Sequence, residues 1–280
     1  MDGPFSTIEP SIPAIAYNYS PLTFGRFMFT EPIVRVSESH DFSDALVVSC
    51  FPTQGMVSTI VAHHLIDQLE LEFVGGVRHP ELPPFCLVKD GAPMPPVRLY
   101  SGEPMCKLES CDKLVVVISE LPIKESMCLP LTEALFKWSK RANIGAAVLI
   151  DAFSKDEQGD EYPDLLGVAA TDQTRLILNE EMGINLLQEG MLGGMTGIML
   201  GEARRRGLAL MAILAGAAGD VPDARAAVRV IEKLDYLLPN IKLDAEPLLE
   251  QAMQFEAEIT GMVESRLATQ PSSSDTSMFV

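Results

Sequence analysis

The stretch Ala45-Leu-Val-Val-Ser-Cys-Phe51, followed by Pro52-Thr-Gln-Gly55, decides the fold class of this chain. Its nearly continuous apolar run is typical of a strand buried on both faces of a sheet. After the break, apolar residues recur at helical spacing over residues 56–69, which predicts a helix that packs on that sheet. A second strand is expected over residues 71–77. The stretch therefore predicts a β-α-β unit.

The same alternation continues along the chain. Strands are expected over residues 33–36, 114–118, 146–150 and 209–214. Residues 166–170 and 175–178 are expected to form two short strands or a strand and a turn. Helices are expected over residues 127–141, from the glycine-rich stretch 190–197 to Gly207, and over residues 223–238 and 245–268. Asp90-Gly91, between the apolar runs 84–88 and 97–100, predicts a hairpin. The pattern predicts an α/β fold: one domain, residues 31–268, with a mostly parallel twisted sheet flanked by helices.

The composition argues against several classes of partner. The chain has 21 Lys and Arg against 39 Asp and Glu among 280 residues, which gives a formal net charge of −18. Nucleic acids and anionic membrane surfaces both require clustered cations, so neither is an expected partner. The sequence has neither a signal-peptide pattern nor an apolar run of about 18 residues, and we expect a cytoplasmic protein.

The sequence carries little that predicts a cofactor. The five cysteines, Cys50, Cys86, Cys106, Cys111 and Cys128, form no CxxC pair, and His63 and His64 point about 100° apart on a helix. Neither GxxxxGK[ST] nor GxSxG occurs. Asp151 and Asp172 follow strand-like runs and are interpreted as helix or turn caps. We therefore expect no metal, no organic cofactor and no catalytic residue.

Two glycine-containing loops leave one alternative open. Gln54 and Gly55 join a strand to a helix, and open α/β sheets bind ligands at that end of their strands. The second loop, Gly193, Gly194, Thr196 and Gly197, opens a helix whose free N–H groups attract anions. These residues predict a possible ligand crevice. The competing interpretation is that the glycines permit tight turns and close helix–sheet packing.

Both ends of the chain differ from the body. Residues 1–30 are rich in Pro, Ser and aromatics without periodicity and are interpreted as an extended arm. Residues 269–277 are polar and of low complexity, which predicts a disordered tether. The tether ends in Met278-Phe279-Val280, an apolar triplet that carries the free carboxylate. We interpret residues 269–280 as a tail with a C-terminal docking motif.

The order of these motifs resembles the proteasome assembly chaperone family in its archaeal form, the homologues of the second proteasome assembly chaperone. The resemblance rests on the first β-α-β unit with Phe73-Val-Gly-Gly-Val77, on residues 193–207 and on residues 222–234. It implies a fold like that of purine nucleoside phosphorylases without their catalytic groups. Family members often end in a hydrophobic–Tyr–any-residue motif that inserts between α-subunits of the 20S ring. By this resemblance Met278 is the hydrophobic residue, Phe279 replaces Tyr, and Val280 supplies the carboxylate.

The leading hypothesis is therefore a non-enzymatic, ATP-independent proteasome assembly chaperone or adaptor. It would bind the 20S core particle or α-subunit assembly intermediates as a homo-oligomer, held partly by the apolar stripe of residues 245–268. One alternative is a ligand-binding enzyme, of the nucleoside phosphorylase or hydrolase type or the carboxylate–amine ligase type. The other alternative is a purely structural homo-oligomer.

Overall fold

A nine-stranded sheet with helices on both faces forms the fold in a computed structural model that describes residues 31–102, 113–155, 163–219, 221–238 and 243–248. Within these residues the strands are β1 (Ile33–Val36), β2 (Leu46–Cys50), β3 (Glu72–Arg78), β4 (Leu87–Lys89), β5 (Ala92–Met94), β6 (Arg98–Gly102), β7 (Leu114–Ile118), β8 (Ala146–Ser154), β9 (Leu165–Ala169), β10 (Asn185–Leu186) and β11 (Leu210–Ala217). The α-helices are α1 (Val57–Gln68), α2 (Glu125–Arg141), α3 (Asp172–Leu176), α4 (Gly194–Arg206) and α5 (Ala224–Leu234).

The centre of the sheet is parallel. The strand order is β1-β3-β6-β7-β2-β8-β11-β9-β10, and the neighbours β7, β2, β8 and β11 all run in the same direction. Antiparallel pairs lie on both sides of this centre. Every residue of β7 and β11 is buried, as expected of strands covered on both faces. The predicted α/β fold is confirmed.

Each face of the sheet has its own apolar core. On one face α1 and α5 pack together over side chains that include Val48, Cys50 and Ile213. On the other face α2 and α4 pack together over side chains that include Val47, Leu149 and Ala212. Alternate residues of one strand thus contribute to opposite cores, because successive side chains of a strand point to opposite faces.

The predicted hairpin exists, although its second strand differs from the expected one. Its turn lies at Asp90–Gly91, with φ angles of 52° and 77°, and it joins β4 to β5. Residues 98–100 of the expected second strand lie instead within β6, which pairs with β3 and β7 in the large sheet. Strand β5 was not predicted, and Pro95 and Pro96 separate it from β6.

The prediction of a strand over residues 175–178 is wrong. These residues belong to α3 and to the π-helical turn Ile177–Glu181 that continues it. Thr171 caps the helix: its Oγ1 accepts from the Thr174 N–H at 3.2 Å, and Thr174 Oγ1 accepts from the Thr171 N–H at 3.1 Å. This reciprocal capping fixes a helix start. The three apolar residues after Arg175 cannot by themselves distinguish a strand from a helix.

The remaining helix predictions agree with the structure where it describes them. The helix expected over residues 223–238 is α5 with the 3₁₀ turn Asp235–Leu237. Of the helix expected over residues 245–268, the structure describes residues 245–248, and residues 246–248 are helical. In the described parts of the chain, no helix is both long enough and apolar enough to cross a bilayer.

Candidate functional site

The predicted docking tail, Met278, Phe279 and Val280, lies outside the described residues, as does the predicted arm of residues 1–30. Residues 243–248, which lead towards the tail, are anchored on the α1 face of the sheet. Leu248 is buried in the core of that face, and the main chain of Asp244 lies near the ring of His64 of α1. Burial lowers the pKa of His64 more than its polar neighbours raise it.

The first predicted loop is a tight, closed turn at the carboxyl end of β2. Gln54 and Gly55 lie in a 3₁₀ turn, and Gly55 has a φ of 60°. The Gly55 carbonyl accepts from the Asp223 N–H at 2.8 Å. A Cβ atom at Gly55 would lie 2.9 Å from the Ala217 Cβ. The glycine therefore lets this turn pack against the end of β11, in agreement with the structural interpretation of the loop.

The second predicted loop begins α4 with little side-chain contact. Gly193 is the N-cap residue, Gly194 has a φ of 57°, and a Cβ atom at either would meet nothing within 4 Å. Gly197 differs, because its Cβ would lie 2.1 Å from the Leu192 carbonyl oxygen. Its N–H donates to the Gly193 oxygen at 3.0 Å. Gly197 is thus required for packing, while Gly193 and Gly194 are exposed and open.

Thr196 is buried and faces the sheet. Its hydroxyl lies near the carboxylate of Asp151, which accepts from the Ala152 N–H at 2.8 Å. Burial raises the pKa of Asp151, although Thr196 and the Ala152 N–H act in the opposite direction. Asp151 lies inside β8, so its interpretation as a cap is wrong, whereas Asp172 is the first residue of α3 beside the Thr171 N-cap.

The two loops lead to helices on opposite faces of the sheet. Gln54 and Gly55 precede α1, which contributes to one core, and Gly193–Gly197 opens α4, which contributes to the other. The crevice between the two loops stays a prediction, and the geometry favours separate packing roles for them.

The structure instead places its topological switch point between β2 and β7. These neighbouring parallel strands continue into α1 and α2, which lie on opposite faces. Such a point opens a crevice beyond the carboxyl ends of the strands, where α/β proteins bind ligands. Arg98 and Glu120 lie there: Arg98 begins β6 opposite Ile118, the last residue of β7, and Glu120 follows that strand.

Arg98, Glu120 and His63 form a polar cluster, which we call the switch-point cluster. The Arg98 side chain is only 2% exposed and its Nη2 donates to Glu120 Oε1. Its Nε donates to the Tyr100 hydroxyl at 3.2 Å, and that hydroxyl donates to the Met94 sulfur at 3.3 Å. His63 Nε2 lies 3.0 Å from the same Glu120 oxygen. The cluster joins α1 to the sheet.

The electrostatics of the switch-point cluster keep Glu120 ionised. Burial acts to raise its pKa, but the hydrogen bonds of His63 and Arg98, together with the Arg98 charge, outweigh burial and lower the pKa to about 2. The Tyr100 hydroxyl of the cluster donates to the Met94 sulfur, and the Ser119 hydroxyl beside Glu120 donates to the backbone carbonyl of Leu121. Neither is paired with His63 as an activated nucleophile would be. The cluster is thus suited to holding elements together.

The switch-point cluster was not predicted from the sequence, although the sequence contains an indication of it. Arg98 is a charged residue inside the apolar run 97–100, and Glu120 follows the buried strand β7 after a single residue. A charge inside a buried strand needs a counter-charge, because burying an isolated ion is costly. The identity of the counter-charge depended on strand order, which no local pattern contains.

The described residues contain no group of three or more His, Cys, Asp or Glu side chains that could hold a metal ion. Cys50 and Cys128 are buried free thiols and Cys86 is exposed, while Cys106 and Cys111 lie outside the described residues. Burial raises the pKa of both buried thiols, which makes them unreactive.

Solved structures share this architecture. PbaA of Pyrococcus furiosus, an archaeal homolog of proteasome-assembly chaperone, matches with a TM-score of 0.74 and 24% identity over 85% of this chain and 94% of that chain. PbaB of the same organism, an archaeal proteasome activator, matches with a TM-score of 0.70 and 17% identity over 84% of this chain and 99% of that chain. At these identities the likeness shows the fold.

The sequence comparisons agree with the fold. An uncharacterized protein of Methanocaldococcus jannaschii is 23% identical over 227 residues, which are 81% of this chain and 89% of the relative. The model of the PAC2 family matches residues 47–263, from β2 through every later described element. The resemblance that the sequence motifs predicted is thereby confirmed, and the chain belongs to the PAC2 family.

Proposed function

We propose that this protein is a non-enzymatic, ATP-independent proteasome assembly chaperone or adaptor. It binds the 20S core particle, or α-subunit intermediates of its assembly, through Met278, Phe279 and Val280. The observation that carries the proposal is the PAC2 family match together with the architecture shared with PbaA and PbaB, which are described as a proteasome-assembly chaperone homolog and a proteasome activator.

Two further features support the proposal. Met278 and Phe279 are two large apolar residues that follow the polar stretch of residues 269–277. In the switch-point cluster, the described arrangement that most resembles a catalytic site, the hydroxyls of Tyr100 and Ser119 donate to the Met94 sulfur and to the Leu121 carbonyl. The molecule therefore offers better support for docking than for catalysis.

The expected affinity of one tail is low. Burial of Met278 and Phe279 contributes roughly 1.5–3 kcal/mol each, and the Val280 carboxylate adds about 1–3 kcal/mol when it meets a basic residue. Ordering the tail subtracts from this sum, so a single tail binds on the order of millimolar to tens of micromolar. Several tails on one homo-oligomer raise the avidity by about 10²–10⁴. The function therefore requires assembly of the body.

The test is binding of the cognate 20S core particle to the immobilised full chain by surface plasmon resonance. Phe279→Ala and a chain that ends at residue 268 should lose binding, because the ring contributes most of the apolar contact. Phe279→Tyr should bind at least as tightly as the wild type. One Gly added after Val280 should weaken binding, since it moves the carboxylate by about 3.5 Å relative to the ring.

Phe85→Ala is the matched control. Phe85 is an exposed phenylalanine, 65% accessible, so the same chemical change is made outside residues 269–280. This variant should bind the core particle as the wild type does. If Phe279→Ala and the tail-deleted chain bind as tightly as the wild type, docking through the tail is wrong.

A further inference from the structure

One methionine is presented to solvent on a constrained loop. Met191 is 96% exposed, which is unusual for a large apolar side chain. The next residue, Leu192, packs against the core of the α2 and α4 face, and its carbonyl lies directly over Gly197 at the start of α4. Leu192 thus anchors the loop while Met191 points away from the body. We call residues 188–192 the methionine knob.

A cavity lies at the other end of α4. It has a volume of about 590 Å³ and is bounded by the C-terminal ends of α2 and α4 and by the starts of β8 and β11. Its buried part is apolar, with Phe136 and Leu210, and Leu208 lines it at an exposed position. We call this space the α4 cavity. Its volume accommodates a methionine side chain and part of the loop that carries it.

The knob and the cavity carry opposite charges. Glu189 of the methionine knob is exposed. Lys140 lines the α4 cavity and is also exposed. Arg206 lines it as well, but it is paired with Glu133 and Glu202 and lies over the Phe136 ring, 5.4 Å from its centroid. Lys140 is therefore the cation available to a carboxylate that approaches with the knob. In a molecule of net charge −18, such a local match favours this surface for contact between two copies.

The knob and the cavity of one molecule cannot meet. They lie at opposite ends of α4, whose 13 residues span about 20 Å. We infer that the methionine knob of one copy inserts into the α4 cavity of a second copy, with Met191 against Phe136 and Leu208, and Glu189 beside Lys140. The contact is head-to-tail, because each copy contributes a different surface to it.

A head-to-tail contact has a functional consequence. Such contacts build rings when the rotation between copies closes, and open filaments when it does not. In a ring, rotational symmetry places the equivalent atoms of all copies at one height along the axis. All tails would then start at the same height, which is the geometry that multivalent docking requires. The inference concerns assembly of the body, and it stands whether or not the tail binds the proteasome.

The test uses two variants of the full chain that each remove one half of the contact. Met191→Ser removes the knob and leaves the cavity intact. Leu208→Glu places a carboxylate at the cavity and leaves the knob intact. Both residues are exposed, so the fold should be retained, as thermal unfolding and circular dichroism will verify. Molar mass is measured by size-exclusion chromatography with light scattering at equal protomer concentrations.

The wild type should exceed the 30.5 kDa of one chain, and each variant alone should weaken association about 10- to 100-fold. An equimolar mixture of the two variants should form a 1:1 dimer and nothing larger, since one knob and one cavity remain usable. The matched control, Phe85→Ser, should assemble as the wild type does.

Charge exchange gives an independent measurement. Glu189→Lys and Lys140→Glu should each weaken assembly, and the chain carrying both changes should recover it. Three outcomes would overturn the inference. The wild type could stay monomeric even when its protomer concentration is raised 100-fold, the variants could keep the wild-type mass, or the mixture of Met191→Ser and Leu208→Glu could fail to form a dimer. The chain that ends at residue 268 should assemble normally, which separates failure of this contact from failure of the tail.

Discussion

Replacing Glu120 with Gln should destabilise the protein at neutral pH and remove part of its acid sensitivity. Glu120 is the counter-ion of Arg98, whose side chain is 2% exposed. Glutamine keeps the size of the side chain and one acceptor oxygen but carries no charge. The variant therefore leaves a buried guanidinium without its carboxylate, which is the costly way to break a buried ion pair.

The magnitude follows from the pKa of Glu120. The switch-point cluster lowers it from 4.5 to about 2, and each pKa unit corresponds to about 1.4 kcal/mol. The full shift therefore sets an upper limit of about 3 kcal/mol. The glutamine amide oxygen retains a neutral hydrogen bond, and the Glu120 side chain is 18% exposed. We expect a loss of about 2 kcal/mol in the free energy of unfolding at pH 7.

The pH dependence has a definite sign. Between pH 4.5 and about 2 the unfolded chain protonates Glu120, while the folded protein keeps it ionised. Unfolding then takes up a proton, so this stabilisation is complete above about pH 5 and is lost as the pH falls towards 2. The Gln variant lacks this contribution. The difference in stability between the two proteins should therefore shrink over the same interval.

The assay is urea unfolding from pH 7 to pH 3, at one protomer concentration, because association also stabilises the folded state. Trp138 is the single tryptophan and is buried, so its fluorescence reports loss of the core. Asp67→Asn is the control, since it breaks an exposed pair with Lys89 at 3.2 Å and should change little. Equal stabilities of wild type and Glu120→Gln at pH 7, or a difference that is constant with pH, would refute the reasoning.

Two further substitutions test how local geometry contributes to stability. Asp151→Asn should stabilise the protein at pH 7, because burial raises the pKa of the Asp151 carboxyl group. Urea unfolding should show that this gain disappears below the ordinary pKa of 3.8, where Asp151 is protonated in both the folded and the unfolded protein. Gly55→Ala should cost about 2–4 kcal/mol, since it combines a φ of 60° with a Cβ only 2.9 Å from a neighbouring side chain. Gly91→Ala, at a φ of 77° with nothing within 4 Å, should cost only about 1 kcal/mol in the same measurement, and equal losses for both would contradict the packing argument.

Much of the fold followed from local sequence pattern. The buried strands β2, β7, β8 and β11 were predicted because each is a continuous apolar run, and both faces of the central sheet are indeed covered. The strand prediction for residues 175–178 is wrong because the three apolar residues after Arg175 fit a strand and a helix equally well. The Thr171–Thr174 capping box favours the helix. The family was also recognisable, because it depends on the order of motifs along the chain.

The sequence by itself determined the α/β class, the central strands, the family and the apolar triplet at the C-terminus, since periodicity, composition and motif order are local properties of a chain. Tertiary structure alone decided which distant residues meet. It paired Arg98 with Glu120, placed the two glycine loops before helices on opposite faces, and formed the α4 cavity away from Met191. These features depend on strand order and on the relative position of helix ends, which arise only when the whole sheet packs.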